Sequence, residues 1–158
     1  MGVLAYGGII KDYFDDSDEN EITLPEKFPV IGDGAFKGCK TLVSLTVPDT
    51  VRIIGEAAFA SCSNLIFVAI TGGVKKISDN AFENCTSLIL VDIQDGLESI
   101  EGGAFSGCTN LVSVTLPNSV DSISGWAFHG CTKLVIRAHR DSYAHMYAMD
   151  HGISYQEI

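Results

Sequence analysis

The sequence predicts an α/β solenoid, in which short repeats stack side by side with a parallel β-sheet face and short helical or 3-10 turns on the other side. Three features of the chain predict this fold. The cysteines recur at a constant 23-residue step, at Cys39, Cys62, Cys85, Cys108 and Cys131. An Ala-Phe pair precedes each cysteine, and a leucine follows each one three residues later. Self-similarity at a fixed short period is the sequence signature of a solenoid.

Within one repeat, the spacing of the apolar residues changes partway along. Phe36, Cys39 and Leu42 are three residues apart, as in a helical turn, whereas Leu45 and Val47 are two residues apart, as in a strand. The proline that follows ends the strand, because it cannot donate a ladder hydrogen bond. Each unit is therefore predicted to contain a strand, a turn and a short helical bend.

The repeats also divide the chain into regions. One unit cannot bury its apolar side alone, but stacked copies bury a continuous column and align their strands into a parallel sheet. Residues 22–31 repeat the strand half of the unit one period earlier, which predicts a partial first repeat. The prediction is an N-terminal cap and acidic loop at 1–21, repeats at 22–136 and a C-terminal cap at 137–158.

Five thiols in 158 residues raise the question of disulfides or a metal site. Equivalent positions in stacked strands lie about 4.8 Å apart with parallel side chains, whereas a disulfide needs Cβ atoms about 3.8 Å apart and turned toward each other. Zinc needs four converging ligands, which a straight row does not supply. The cysteines are therefore predicted to form a buried ladder of reduced thiols that pack as small apolar residues.

The repeated pattern Ala-Phe-x-x-Cys-x-x-Leu-x-x-[LV]-x-[VIL]-Pro-x-x-Val-x-x-Ile resembles the BspA-type leucine-rich repeats over about residues 22–136. This resemblance implies a right-handed leucine-rich-repeat solenoid, and cell-surface or secreted proteins concerned with adhesion. The closing segment resembles the C-terminal capping helix common in that family. There, Ser142 or Asp141 can cap a helix and Gly152 can end it.

Composition excludes several classes of partner. Ten Lys and Arg side chains against twenty Asp and Glu give a formal net charge of −10, so nucleic acid and anionic membranes are predicted to be poor partners. Six of the acids lie at residues 12–21, where a solvated loop is predicted. The chain has no run of about 18 apolar residues, which predicts no membrane insertion. It also shows no export signal, so a cytoplasmic location is the alternative to the cell surface.

No set of residues predicts chemistry. Ser142, His145 and Asp150 are of types used in nucleophilic catalysis, but one short helix cannot converge them with an oxyanion site. Residues 16–20 imitate the start of a calcium loop, but Glu21 stands where that loop needs glycine. The sequence therefore predicts no catalytic residue, no metal site, no cofactor and no enzymatic activity.

The residues that the repeat does not dictate mark a candidate binding surface. Because strand side chains alternate, inward Leu45 and Val47 place their neighbours on the open sheet face. At the equivalent outward positions Phe67 and Leu90 are expected to be neighbours, largely exposed, and rimmed by acids. The candidate ligand-binding residues are Phe67, Leu90, Asp92, Asp95, Ile66 and Ile89. An apolar cluster with a charged rim is typical of a protein-binding patch.

Two functions follow from these patterns. The first is a non-enzymatic binding module that holds a protein or a glycan on the sheet face. The alternative is a structural spacer or self-assembly unit of a larger surface protein, for which a homodimer through the same face would be expected.

Overall fold

A computed structural model describes residues 2–14 and 21–158. Most of the acidic loop predicted before the first repeat, and the segment that imitates a calcium loop, lie outside the described residues. The elements in chain order are β1 (Gly2–Tyr6), β2 (Ile9–Phe14), β3 (Glu21–Thr23), β4 (Val30–Ile31), β5 (Ser44–Val47), β6 (Ile53–Ile54), β7 (Phe67–Ile70), β8 (Lys76–Ile77), β9 (Leu90–Ile93), β10 (Ser99–Ile100), β11 (Ser113–Thr115), β12 (Ser122–Ile123), β13 (Val135–Ala138), α1 (Tyr143–Asp150) and β14 (Ser154–Glu157).

Seven strands form the predicted parallel sheet, which we call the face sheet. Its order is β3-β5-β7-β9-β11-β13-β14, and all its pairs are parallel. Leu45 pairs with Val68, and Val68 with Val91, one period further on. These inward side chains are fully buried. A register of one full period therefore brings equivalent side chains of each repeat together, as the sequence predicted.

A second sheet, which the sequence pattern does not predict, lies on the other side of the core. This back sheet has the order β1-β2-β4-β6-β8-β10-β12. From β4 to β12 each of its strands is only two residues long, for example Ile53–Ile54 against Lys76–Ile77. Ile54 and Ile77 point inward and are fully buried. Two residues are too few to show the alternation that identifies a strand.

The predicted helical bends are hydrogen-bonded turns that also bond from repeat to repeat. The N–H of Cys39 donates to the Phe36 carbonyl at 3.0 Å, the short-range bond of a 3-10 turn. The N–H of Phe36 donates to the Ala58 carbonyl of the next repeat at 2.7 Å, and Phe59 to Ala81 likewise. The Ala-Phe pair is thus a third ladder that satisfies the backbone polar groups of the turns.

The core is a column of equivalent side chains. The phenylalanine rings stack with centroids 4.8 to 5.3 Å apart, in the order Phe36, Phe59, Phe82, Phe105, Phe128. All five cysteines are free thiols. The prediction that all five are buried is wrong at the two ends of the row, where Cys39 and Cys131 are half-buried. An end thiol lacks a neighbouring repeat on one side.

The thiols also do more than fill space. Cys62 donates to the Phe36 carbonyl at 3.1 Å, Cys85 to Phe59 at 3.2 Å, and the next two thiols repeat the contact. The repeat pattern had predicted purely apolar packing for the cysteines. The ladder instead hydrogen-bonds a buried carbonyl oxygen in each turn, which is costly to leave without a partner.

The two ends of the column are each closed by a different element. At the N-terminus β1 and β2 form an antiparallel hairpin, and β2 pairs in parallel with β4. At the C-terminus Ser142 caps α1 by accepting the His145 N–H at 3.2 Å, and Gly152 follows the helix in the left-handed region. The Tyr147 hydroxyl donates to the Ser124 carbonyl at 3.0 Å, which fastens α1 to the last repeat.

Candidate interaction surface

The outward row of the face sheet contains the predicted site residues on β7 and β9. Phe67 and Leu90 are paired in the strand register, as are Ala69 and Asp92. Both Phe67 and Leu90 are half-buried, not largely exposed as the sequence analysis expected. Each central strand has a neighbour on both sides, so an outward side chain is partly covered by the side chains next to it.

The most exposed aliphatic residues of this region form a strip at the amino ends of the strands. Ile66 is 42% exposed, Ile89 46% and Val112 45%. They occupy the same position of three successive repeats, immediately after the buried leucine. We call Ile66, Ile89 and Val112 the apolar strip. Ile66 and Ile89 were predicted as flanking residues and Val112 was not, although the repeat period already related it to them.

Backbone hydrogen bonds hold the apolar strip in place. The Ile89 N–H donates to the Ile66 carbonyl at 2.9 Å, and the Val112 N–H donates to the Ile89 carbonyl at 2.9 Å. These bonds continue the ladder of the face sheet beyond the strands. The strip is therefore a rigid surface, for which little conformational entropy is lost when a partner binds.

A polar rim borders the strip on the side away from the sheet. The Lys133 ammonium donates to the Asn110 side-chain oxygen at 2.7 Å, and the Asn110 amide donates to the Thr86 carbonyl at 2.9 Å. Together with Ser87, Asn110 and Lys133 line a shallow depression of about 470 Å³ over the strip. An apolar centre with a polar rim is the usual arrangement of a protein-binding patch.

Only one of the two predicted acids lies on the face sheet. Asp92 is exposed on β9, two residues from Leu90, but Asp95 lies beyond the carboxyl end of that strand. Asp95 lines a separate depression with His139. The structure therefore brings five of the six predicted residues together and leaves Asp95 apart.

Arg137 is a further charged residue of the face that the sequence analysis missed. It is paired in register with Thr115, which is paired with Asp92 on its other side. The Arg137 Nε atom is buried and has no hydrogen-bond partner among the described residues. The shortened last repeat obscured this position, because Val135 pairs with Ser113 one residue short of a full period.

Other kinds of site find no support in the part of the chain that the structure describes. Within residues 2–14 and 21–158, no cluster of three or more His, Cys, Asp or Glu side chains is placed to hold a metal ion. No helix in these ranges has the length and apolarity to cross a bilayer.

The repeat pattern matches one family directly. The BspA-type leucine-rich repeat region matches residues 8–135 in six copies. The chain belongs to this family. The match begins before residue 22, where the first partial repeat was expected, and this agrees with the pairing of β2 against β4. Proteins of this family are typically non-enzymatic repeat proteins with interaction or structural roles.

Solved structures share the fold. The leucine-rich repeat protein of T. pallidum is 36% identical with a TM-score of 0.75, over 82% of this chain and 62% of that one. A leucine-rich cell surface protein of Faecalibacterium prausnitzii is 29% identical with a TM-score of 0.79, over 89% of this chain and 37% of that one. A leucine-rich repeat protein of Eubacterium ventriosum is 26% identical with a TM-score of 0.69, over 80% of this chain and 41% of that one.

The chain spans less than two thirds of each of these three structures. No curated protein matches the chain.

Proposed function

We propose that this protein is a non-enzymatic binding module that recognises a protein partner through the apolar strip and the adjoining side chains of the face sheet. The observation that carries the proposal is the strip itself. Ile66, Ile89 and Val112 are each more than two fifths exposed and stand in register on three neighbouring repeats. A contiguous exposed aliphatic surface with a polar rim favours contact with another protein.

The charges of the face define the partner further. Asp92 and Arg137 lie in one outward row with Thr115 between them. A partner with a basic group opposite Asp92 and a carboxylate opposite Arg137 complements this row. Arg137 is only half-buried, so a partner carboxylate can form an ion pair with the accessible part of its guanidinium group.

A protein fits this surface better than a glycan does. Sugar rings commonly stack on exposed aromatic faces. Strands β5 to β11 present one aromatic ring on the outward row, Phe67, and it is half-buried. Aliphatic side chains instead match the aliphatic and aromatic side chains of a protein partner.

A surface location and a role in adhesion are part of the proposal. The support for them is the F. prausnitzii relative, which is a cell surface protein and is 29% identical over 89% of this chain. A rigid sheet face on a solenoid is suited to adhesive contact, because stacked repeats display a continuous surface.

The test is a binding screen with matched variants. An array of secreted and cell-surface proteins would be probed with the labelled wild-type chain, with an Ile66→Glu/Ile89→Glu variant and with Ile53→Glu. Ile53 is 38% exposed on β6 of the back sheet, so its replacement adds charge at a site away from the strip.

We expect at least one arrayed protein to bind the wild type and Ile53→Glu but to bind the strip variant at least tenfold more weakly. Binding that the strip variant retains would refute the strip as the site. Absence of any bound protein would favour the structural or spacer role instead.

A further inference from the structure

The C-terminal helix has a second apolar face that the fold does not use. Its inner face packs on the last repeat through Ala144, Tyr147 and Ala148, all buried. Its outer face carries Tyr143, Met146 and Met149, which are 44%, 53% and 64% exposed. Their spacing of three residues places them along one side of the helix. A helix that is apolar on both faces is typical of one that is covered on both.

We propose that the outer face of α1 is a self-association surface on which a second copy of this chain docks, helix against helix. Methionine suits such a contact, because its unbranched thioether adapts to the facing surface. The surface is distinct from the apolar strip, and the inference goes beyond the proposed function.

The C-terminal end of the molecule carries balanced charge, which favours the docking of a second copy there. Among residues 126–158 the basic side chains of Lys133, Arg137 and Arg140 are balanced by three acids, Asp141, Asp150 and Glu157. The whole formal excess of −10 is therefore carried by residues 1–125. Two copies repel each other when their acidic parts approach, so the charge-balanced end is where they can meet.

The size of the surface limits the strength of the dimer. An eight-residue helix is about 12 Å long, and a stable interface buries about 800 Å² on each partner. The outer face of α1 supplies only part of that area. We therefore expect association that depends on protein concentration in the micromolar to millimolar range.

Sedimentation velocity over that concentration range tests the proposal. The full chain would be compared with Met146→Glu/Met149→Glu and with Ile66→Glu/Ile89→Glu, which adds the same charge on the apolar strip. Both pairs are exposed, so both variants should fold, and thermal melts would verify this. We expect the helix variant to raise the dissociation constant at least tenfold and the strip variant to leave it within twofold.

Two outcomes would overturn the proposal. One is a wild type that stays monomeric over the whole concentration range, and the other is association that survives Met146→Glu/Met149→Glu.

Discussion

At the scale of single residues, the turns of this solenoid require left-handed backbone at fixed positions. The residue before each Ala-Phe pair has a positive φ in four repeats, at Gly34, Ala57, Asn80 and Gly103. Glycine and asparagine adopt this conformation at little cost, whereas alanine there costs about 1 kcal/mol or more. Ala57, with φ 52°, is therefore a strained exception.

Replacing Ala57 with glycine should raise the free energy of unfolding by about 1 kcal/mol, because the strain is relieved and the half-buried methyl group contributes little. Urea denaturation would measure it. Ala58→Gly is the matched control, since Ala58 is fully buried with ordinary backbone and should lose stability. A destabilised Ala57→Gly would mean that its methyl group matters more than its φ.

The thiol ladder predicts a definite labelling pattern. In the native protein Cys62, Cys85 and Cys108 should resist an alkylating reagent, while Cys39 and Cys131 should react slowly. Burial raises the pKa of Cys131 to about 11, so its rate should climb as the pH approaches that value, because the thiolate is the nucleophile. Mass spectrometry of labelled peptides would count the sites. Rapid native labelling of the three central thiols would contradict the buried ladder.

At the scale of elements, the repeat spacing was enough to predict the face sheet and the core column, and the family resemblance implied the capping helix. Neither predicted the back sheet or β14. The face strands alternate over four residues, as in Ser44–Val47, and the pattern is visible. The back strands have two residues each, and β14 lies outside the repeats, where no copy supports an alignment.

The candidate surface was predicted less well than the fold for a related reason. Exposure depends on how neighbouring side chains cover one another, which the pattern of one strand does not contain. Phe67 and Leu90 shield each other because their strands pair directly. Ile66, Ile89 and Val112 lie just before their strands and are more exposed. The outward position of Arg137 was not predicted, because the last repeat is one residue shorter than the others. An alignment with a constant 23-residue period is therefore out of phase there.

Truncating a side chain of the core column should lower the free energy of unfolding far more than truncating side chains of the apolar strip. Phe82→Ala should lower the free energy of unfolding by roughly 3–5 kcal/mol, because it removes a fully buried ring stacked between two others. Ile66→Ser/Ile89→Ser should change it little, and Phe67→Ser/Leu90→Ser should fall between the two. Chemical denaturation gives all three values. If the strip variant were as unstable as Phe82→Ala, the strip would belong to the core.

At the scale of the whole molecule, the structure is a one-dimensional stack. Each repeat contacts its two neighbours through three sets of backbone bonds, in the face sheet, the back sheet and the turns. Stability is then approximately a sum of repeat and interface contributions. The caps close the two ends of this stack. Among the described repeats, the strands of each sheet contact only their immediate neighbours, so no such contact fixes the number of repeats.

The stack therefore predicts that one full period can be removed. Deleting residues 85–107 takes out one whole period and joins Asn84 to Cys108 with every later position still in phase. This variant should fold with the circular dichroism of a shorter solenoid and melt cooperatively at a lower temperature.

Deleting residues 85–106 instead leaves one extra residue at the junction. Because a shift of one residue exchanges the two faces of a strand, that protein must bulge the extra residue out or misplace its core. It should be much less stable than the in-phase deletion. Equal melting temperatures for the two deletions would show that the register of the repeats is not what holds them together.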